Sequence, residues 1–141
     1  MQNIKVAVDA VVFGYHQNQL HVLLIQQKFG SSQPYWALPG GFVDENEDLE
    51  VAAKRELEEE TQIKIDSLQQ FGAFGKPFRD PRGHMVSVAY FGEVPENTIT
   101  IASDDAKEVA WFPVNDLPNL AFDHQDIIEK ATLSFKNSVA L

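Results

Sequence analysis

The chain has no cysteine among its 141 residues. That excludes disulfides, thiol nucleophiles, thiolate zinc sites and iron–sulfur clusters. Long apolar runs are missing too, since none approaches the roughly 20 residues that span a bilayer. Lys5 and Asp9 interrupt the apolar stretch near the N-terminus, so no signal peptide is expected. Basic charge is scarce: 11 Lys plus Arg stand against 21 acids, a net charge of −10. Such a chain is expected neither to coat nucleic acid, which rewards basic stripes, nor to sit on an anionic bilayer. What is present suits one ordinary domain over residues 1–141, with 44% hydrophobic and 11% aromatic residues. A domain of that length buries about two-thirds of the surface its unfolded chain exposes. The expectation is a soluble, cytoplasmic protein.

The negative charge is concentrated. Nine acids (Asp44, Glu45, Glu47, Asp48, Glu50, Glu56, Glu58, Glu59, Glu60) against Lys54 and Arg55 give that segment −7 of the total −10. Apolar residues flank it on both sides, Trp36, Leu38, Phe42 and Val43 before, Ile63 and Ile65 after. An acidic run set into a core differs from a solvated tail.

Val6–Phe13 is β-rich and mostly apolar, which predicts a strand buried on both faces. Gly14–Gln19 reads as a turn and His21–Ile25 as the partner strand of a hairpin. Gly30–Pro34 reads as a loop, and Pro39-Gly40-Gly41 as a turn. Glu47–Glu60 is built of strong helix formers with acids at its start, where the helix dipole favours them. Leu68–Phe74, Met85–Val94 and Val109–Phe112 are predicted strands, separated by the loops Gly75–Gly83 and Ala102–Lys107. Asp123 is a candidate cap for a last helix running to about Ser138. Strand, helix, several strands and helix imply an α/β fold, a mixed sheet with helices packed on it.

At about 100° per residue, Leu49, Ala52, Ala53 and Leu57 form the core-facing stripe of the acidic helix. Glu56 and Glu60 fall inside that stripe and Glu59 just off its edge, while Glu58 points away. Burying like charges together is very costly without cations. Carboxylates at i, i+3 and i+4 after a glycine-rich segment suit a hard divalent ion such as Mg²⁺, which keeps several waters. Such waters are nucleophiles for phosphoryl chemistry.

Gly41, five residues, Glu47, seven residues, then Arg55-Glu56-Leu57-x-Glu59-Glu60 followed by x-Gln62-Ile63 resembles the Nudix box. Every charged position matches at the right spacing, and the approach Trp36-Ala-Leu-Pro-Gly-Gly-Phe-Val43 is similar as well. The resemblance implies a Nudix α/β/α sandwich with a mixed sheet and a loop–helix–loop catalytic motif. It implies that Glu56, Glu59 and Glu60, with the Gly40 carbonyl, hold Mg²⁺ or Mn²⁺, and that Arg55 and Glu47 pair to shape the motif. The general base stays open between these glutamates and a loop acid; Asp104, Asp105 and Glu108 lie on a loop that could reach the metals, although solvated loop acids are the commoner outcome. Gln62 replaces the usual glycine at the helix exit, where a left-handed residue with a Cβ costs roughly 1–2 kcal/mol.

Lys76, Arg79 and Arg82 crowd the loop Gly75–Gly83, and planar guanidinium groups grip phosphate oxygens in pairs. Arg79-Asp-Pro-Arg-Gly83, then Ser87-Val-Ala-Tyr90 and Ala121-Phe-Asp-His124, resembles the Nudix branch that hydrolyses ADP-ribose, with His84 where that branch carries an arginine. Arg79, Arg82, Phe42 and Phe78 are the candidate substrate contacts, and His124 is either a contact or a helix-start residue. Trp36 and Trp111 read as core. The implied reaction is hydrolysis of ADP-ribose to AMP and ribose 5-phosphate. The alternatives are another nucleotide (a nucleoside triphosphate, NADH or a dinucleoside polyphosphate) or a non-catalytic ADP-ribose sensor. Regulators of this branch carry a winged helix after the Nudix domain, for which 141 residues leave no room. Sensors tend to lose box carboxylates, and this box keeps them. An enzyme is therefore expected, and a homodimer is consistent with the resemblance.

Overall fold

A computed structural model describes residues 2–27, 35–96, 98 and 106–139. The predicted loop Gly30–Pro34, and Asp104 and Asp105 in the second acidic loop, lie outside the described residues. In chain order the elements are β1 (Lys5–His16), β2 (Gln19–Gln27), β3 (Trp36–Ala37), β4 (Gly40–Phe42), α1 (Leu49–Thr61), β5 (Gln69–Phe74), β6 (Met85–Glu93), β7 (Ala106–Pro113) and α2 (His124–Val139). The seven strands form one mixed sheet in the order β3-β2-β1-β6-β5, with β4 paired to β1 and β7 to β2. Only β1 and β6 run parallel among these pairs.

The sheet is sandwiched between the helices, and side-chain alternation sorts its residues. From β1, Val11 and Phe13 join β2 Val22 and Leu24, β6 Ala89 and Phe91, and Ile127, Ile128, Ala131 and Phe135 of α2. The neighbours one step away go to the other side: Val8 packs with Ala52 and Ala53 of α1, and Ala10 and Val12 with Leu23 and Leu57. Strand β1 is thus buried on both faces, as its mostly apolar composition predicts. Phe13 stacks on Phe135 with ring centroids 4.7 Å apart, tying the central strand to α2.

Several boundaries move for physical reasons. The first hairpin closes in two residues, Gln17 and Asn18, both left-handed at φ 51° and 67°. Two left-handed residues match the twist of an antiparallel pair, so the flanks predicted as turn continue as strand. Gly40 and Gly41 are strand, not turn. A Cβ at Gly40 would collide with the Val8 carbonyl and lie 2.6 Å from Asp9 Oδ1, so glycine here permits close pairing. The acidic helix starts at Leu49 because Asn46 is left-handed, φ 63°, and Glu47 N–H donates back to the Asp44 carbonyl at 3.1 Å. Trp36 and Trp111 pack against the core, Trp36 with its ring centroid 4.8 Å from that of Phe112.

Gln62 ends α1 in the left-handed conformation, φ 62° and ψ 17°, with its N–H on the Glu58 carbonyl at 2.8 Å. Glycine holds that conformation without the Cβ clash. Gln62→Gly should raise stability by about 1 kcal/mol in a urea titration. A loss of similar size would show that the glutamine side chain contributes more than the strain costs.

Candidate active site

Helix α1 carries its acids against β4. Ala52, Ala53 and Leu57 are buried in the core, and the predicted angles place Glu56 and Glu60 beside them. Glu60 is 5% exposed and its Oε1 accepts the Gly40 N–H at 2.8 Å. Glu56 lies against Gly41, where an added Cβ would sit 2.6 Å from its carboxylate. Glu59, at the stripe's edge, keeps 51% of its side chain in solvent. Gly41 thus makes the space that the Glu56 carboxylate fills, while Gly40 offers Glu60 its backbone N–H.

One guanidinium organises the rest. Arg55 donates from Nε to Glu47 Oε2 at 2.6 Å and from Nη2 to Glu47 Oε1 at 2.9 Å. Its Nη1 reaches Glu56 at 2.9 Å and Glu59 at 3.3 Å, its Nη2 donates to the Phe42 carbonyl at 3.1 Å, and Asp44 lies 3.5 Å away. The Asp44 N–H also donates to Glu47, closing the loop before the helix. The predicted Arg55–Glu47 clasp is therefore present. Asp48, at the N-cap position, makes no side-chain cap bond, so this clasp takes over the fastening of the helix start.

The electrostatics follow from that crowding. Hydrogen bonding to Arg55, then to the Asp44 N–H, lowers the Glu47 carboxyl from 4.5 to about 2. Glu47 in turn pushes the Arg55 guanidinium up. Glu56 moves the other way: burial raises its carboxyl, Arg55 pulls it back, and Glu59 and Asp44 add repulsion. Glu56 is a partly buried acid whose desolvation outweighs the pull of Arg55.

These donors fit a hard divalent ion. They are all oxygen, half-buried, and short of positive charge. Among the described residues no three acids or histidines converge in a ready-made cage. Mg²⁺ needs only one or two carboxylates besides waters and substrate oxygens. Glu56, Glu59, Glu60 and the Gly40 carbonyl are the groups that would hold it.

The basic loop separates its arginines. Arg79 binds both Asp123 oxygens, Nε to Oδ2 at 2.8 Å and Nη2 to Oδ1 at 2.7 Å, and is 5% exposed. It braces the loop to the start of α2 where the sequence suggested a phosphate grip. The Asp123 carboxylate, predicted as a cap, is the partner in that brace. Arg82 stays 56% exposed. His84 holds the Gly75 carbonyl at 3.0 Å, drawing the two ends of the loop together. Phe78 is 96% exposed and left-handed, φ 70°; Phe42 is partly exposed. His124 is buried at the start of α2, and the Leu38 N–H donates to its Nδ1 at 3.0 Å. That donor makes Nδ1 an acceptor, so the ring's proton sits on Nε2. Nε2 lies 3.9 Å from Asp9 Oδ1. Glu108 is exposed on β7.

Sequence reasoning missed Asp9, Asp80 and Phe122. Asp9 is buried between Ser87, whose hydroxyl donates to it, and His124. Its signal was a charge inside a strand predicted to be buried on both faces. Asp80 and Phe122 lie inside the matched stretches, but nothing in their spacing marked a role.

A family model described as the NUDIX domain matches residues 3–131. The chain is 42% identical over 134 residues to an ADP-ribose pyrophosphatase of Methanocaldococcus jannaschii, covering 94% of this chain and 75% of that protein. It is 36% identical to the ADPR responsive transcriptional repressor NtrR of Acinetobacter baylyi over 92% of this chain, and spans 54% of that relative's length. The solved NUDIX domain of Shewanella oneidensis NrtR, complexed with ADP ribose, has a TM-score of 0.83 and 38% identity, covering 96% of this chain and 90% of that one.

The Glu47 shift has a testable sign. Its folded carboxyl lies below the unfolded one, so the stability it lends is present above pH 4.5 and is lost as pH falls toward 2. In urea titrations, the stability gap between wild type and Glu47→Gln should hold down to about pH 5 and then narrow. A gap that stays constant into strong acid would contradict the clasp.

Proposed function

The chain belongs to the NUDIX domain family and is a Nudix pyrophosphohydrolase; from that premise we propose that it hydrolyses ADP-ribose to AMP and ribose 5-phosphate with Mg²⁺ or Mn²⁺. The observation that carries the reading is the burial of Glu56 and Glu60 against Gly41 and Gly40, with one guanidinium serving Glu47, Glu56, Glu59 and Asp44. Such a surplus of carboxylate suits a divalent cation and, through it, a diphosphate. The likeness to an ADP-ribose pyrophosphatase supports the substrate.

A bound divalent ion supplies Lewis-acid stabilisation of charge developing on the phosphate oxygens and lowers the pKa of a water. Glu56, Glu59, Glu60 and the Gly40 carbonyl would hold it. Arg55 sets the positions of Glu56 and Glu59 relative to β4 by holding both carboxylates and the Phe42 carbonyl. Glu60 fixes β4 through the Gly40 N–H. Proton removal from the attacking water falls to an acid of this group or to Glu108. The reading places the protein in the cytoplasm, as a homodimer acting on a small nucleotide rather than on nucleic acid or a membrane. Neither described helix is long and apolar enough to cross a bilayer.

A second reading, ADP-ribose sensing without turnover, is favoured by the likeness to NtrR and to the ADP-ribose complex. Incubation with Mg²⁺ or Mn²⁺ and ADP-ribose, NADH, a diadenosine polyphosphate or a nucleoside triphosphate separates the readings. Release of AMP from ADP-ribose is expected. Turnover of only another nucleotide would overturn the substrate, and tight ADP-ribose binding without products would support the sensor. Glu59→Gln should lower turnover by at least roughly 100-fold with the melting temperature kept. An unaffected rate would remove Glu59 from the metal site.

A further inference from the structure

The two arginines of the loop 75–83 have opposite fates, and the difference lies in their partners. Arg79 spends its donors on Asp123 and the Met85 carbonyl and is buried. Arg82 uses one edge alone: Nε donates to Asp80 Oδ1 at 3.0 Å and Nη2 to Asp80 Oδ2 at 2.7 Å. The Nη1 hydrogens and the second Nη2 hydrogen carry no hydrogen bond among the described residues. That outer edge presents two parallel N–H groups, the geometry that pairs with two oxygens of one phosphate.

The guanidinium is also fixed face-on. Its central carbon lies 5.3 Å from the Phe42 ring centroid and 5.5 Å from that of Phe122, so two aromatic residues flank it. Asp80 is itself immobilised: its side chain is 2% exposed, and the Arg82 N–H donates to its Oδ1 at 2.9 Å. Phe122 adopts a left-handed backbone, φ 52°, which a bulky residue holds only when its surroundings enforce it. An arginine free in solvent samples many rotamers. This one is pinned on its inner edge and against two rings while its outer edge stays open.

The fork is joined to the acid cluster through one residue. Phe42 gives its carbonyl to Arg55 Nη2 at 3.1 Å and its ring to Arg82, and it stands two positions after Gly40. We infer that Asp80 and Phe122 are positioning residues that preset Arg82 as a bidentate grip for a phosphate group of the substrate, on the same residue, Phe42, whose carbonyl Arg55 holds. The inference rests on the diphosphate reading of the site and adds which arginine carries the anion and what aims it. Arg79 has no part in it beyond bracing the loop.

A double-mutant cycle with steady-state kinetics on ADP-ribose tests this. Arg82→Lys keeps the charge but loses the planar fork, and should raise KM about tenfold or more with kcat changed far less. Asp80→Asn and Phe122→Leu should raise KM in the same direction. Asp80→Asn placed on Arg82→Lys should add nothing further, because Asp80 acts through the fork. A purely structural Asp80 would instead lower kcat and melting temperature equally in both backgrounds, and that result overturns the inference. Because Asp80 is buried and its variant can fail to fold, Phe122→Leu and Arg82→Lys, both changes at exposed side chains, keep the test decisive. Calorimetric binding of inorganic pyrophosphate with Mg²⁺ is run in parallel on every variant. If ADP-ribose is not turned over, the substrate reading fails, and weakening of pyrophosphate binding by about tenfold in Arg82→Lys still supports the fork. Equal pyrophosphate binding by wild type, Arg82→Lys and Phe122→Leu overturns it.

Discussion

The Arg55 guanidinium is the interaction on which the site depends. It bridges Glu47, Glu56, Glu59 and Asp44 and reaches the Phe42 carbonyl, so it touches the loop, the helix and the neighbouring strand at once. Remove it and the carboxylates repel one another in a partly desolvated place, where like charges cost most. Its own burial is tolerable only because acids surround it. The same balance leaves negative charge over, and that surplus is what makes the cluster suitable for a divalent cation.

The rest of the molecule serves that balance. A strand buried on both faces gives β4 a rigid edge to pair with, at the register Ala7 to Phe42, Val8 to Gly41 and Asp9 to Gly40. Helix α1 reaches the same edge through small residues, Ala52 and Ala53, that allow a close approach. Helix α2, on the opposite face, is tied in by His124 to Leu38 and by Asp123 to Arg79. The segment 36–42 is therefore held from both sides of the sheet.

Much of this was legible in the sequence because it is local. The helical period alone placed Glu56 and Glu60 on the buried stripe beside Ala52, Ala53 and Leu57, and the box spacing gave the Arg55–Glu47 clasp. What stayed hidden depends on residues far apart in the chain. Gly40 and Gly41 carry turn chemistry by composition, yet they are strand because Val8, Asp9 and Glu56 need the room. Arg79 and Arg82 are the same residue type three positions apart, and it is Asp123, 44 residues from Arg79, that makes that arginine a brace while Asp80 leaves Arg82 a fork. His124 looked equally like a ligand contact and a helix start, because its partner Leu38 lies 86 residues earlier.

Alternation along β1 and β4 divides the labour between the two sides of one sheet. Opposite residues of an antiparallel pair share a face, so Gly41 presents to the carboxylates of α1 while Phe42 and Asp9 present toward α2. Inserting or deleting a single residue in β1 would exchange the two sides, turning the aromatic wall toward the acids and the glycine gap toward the histidine. Loops of this chain can lengthen without moving either wall, whereas the residue parity of these two strands cannot change without exchanging them.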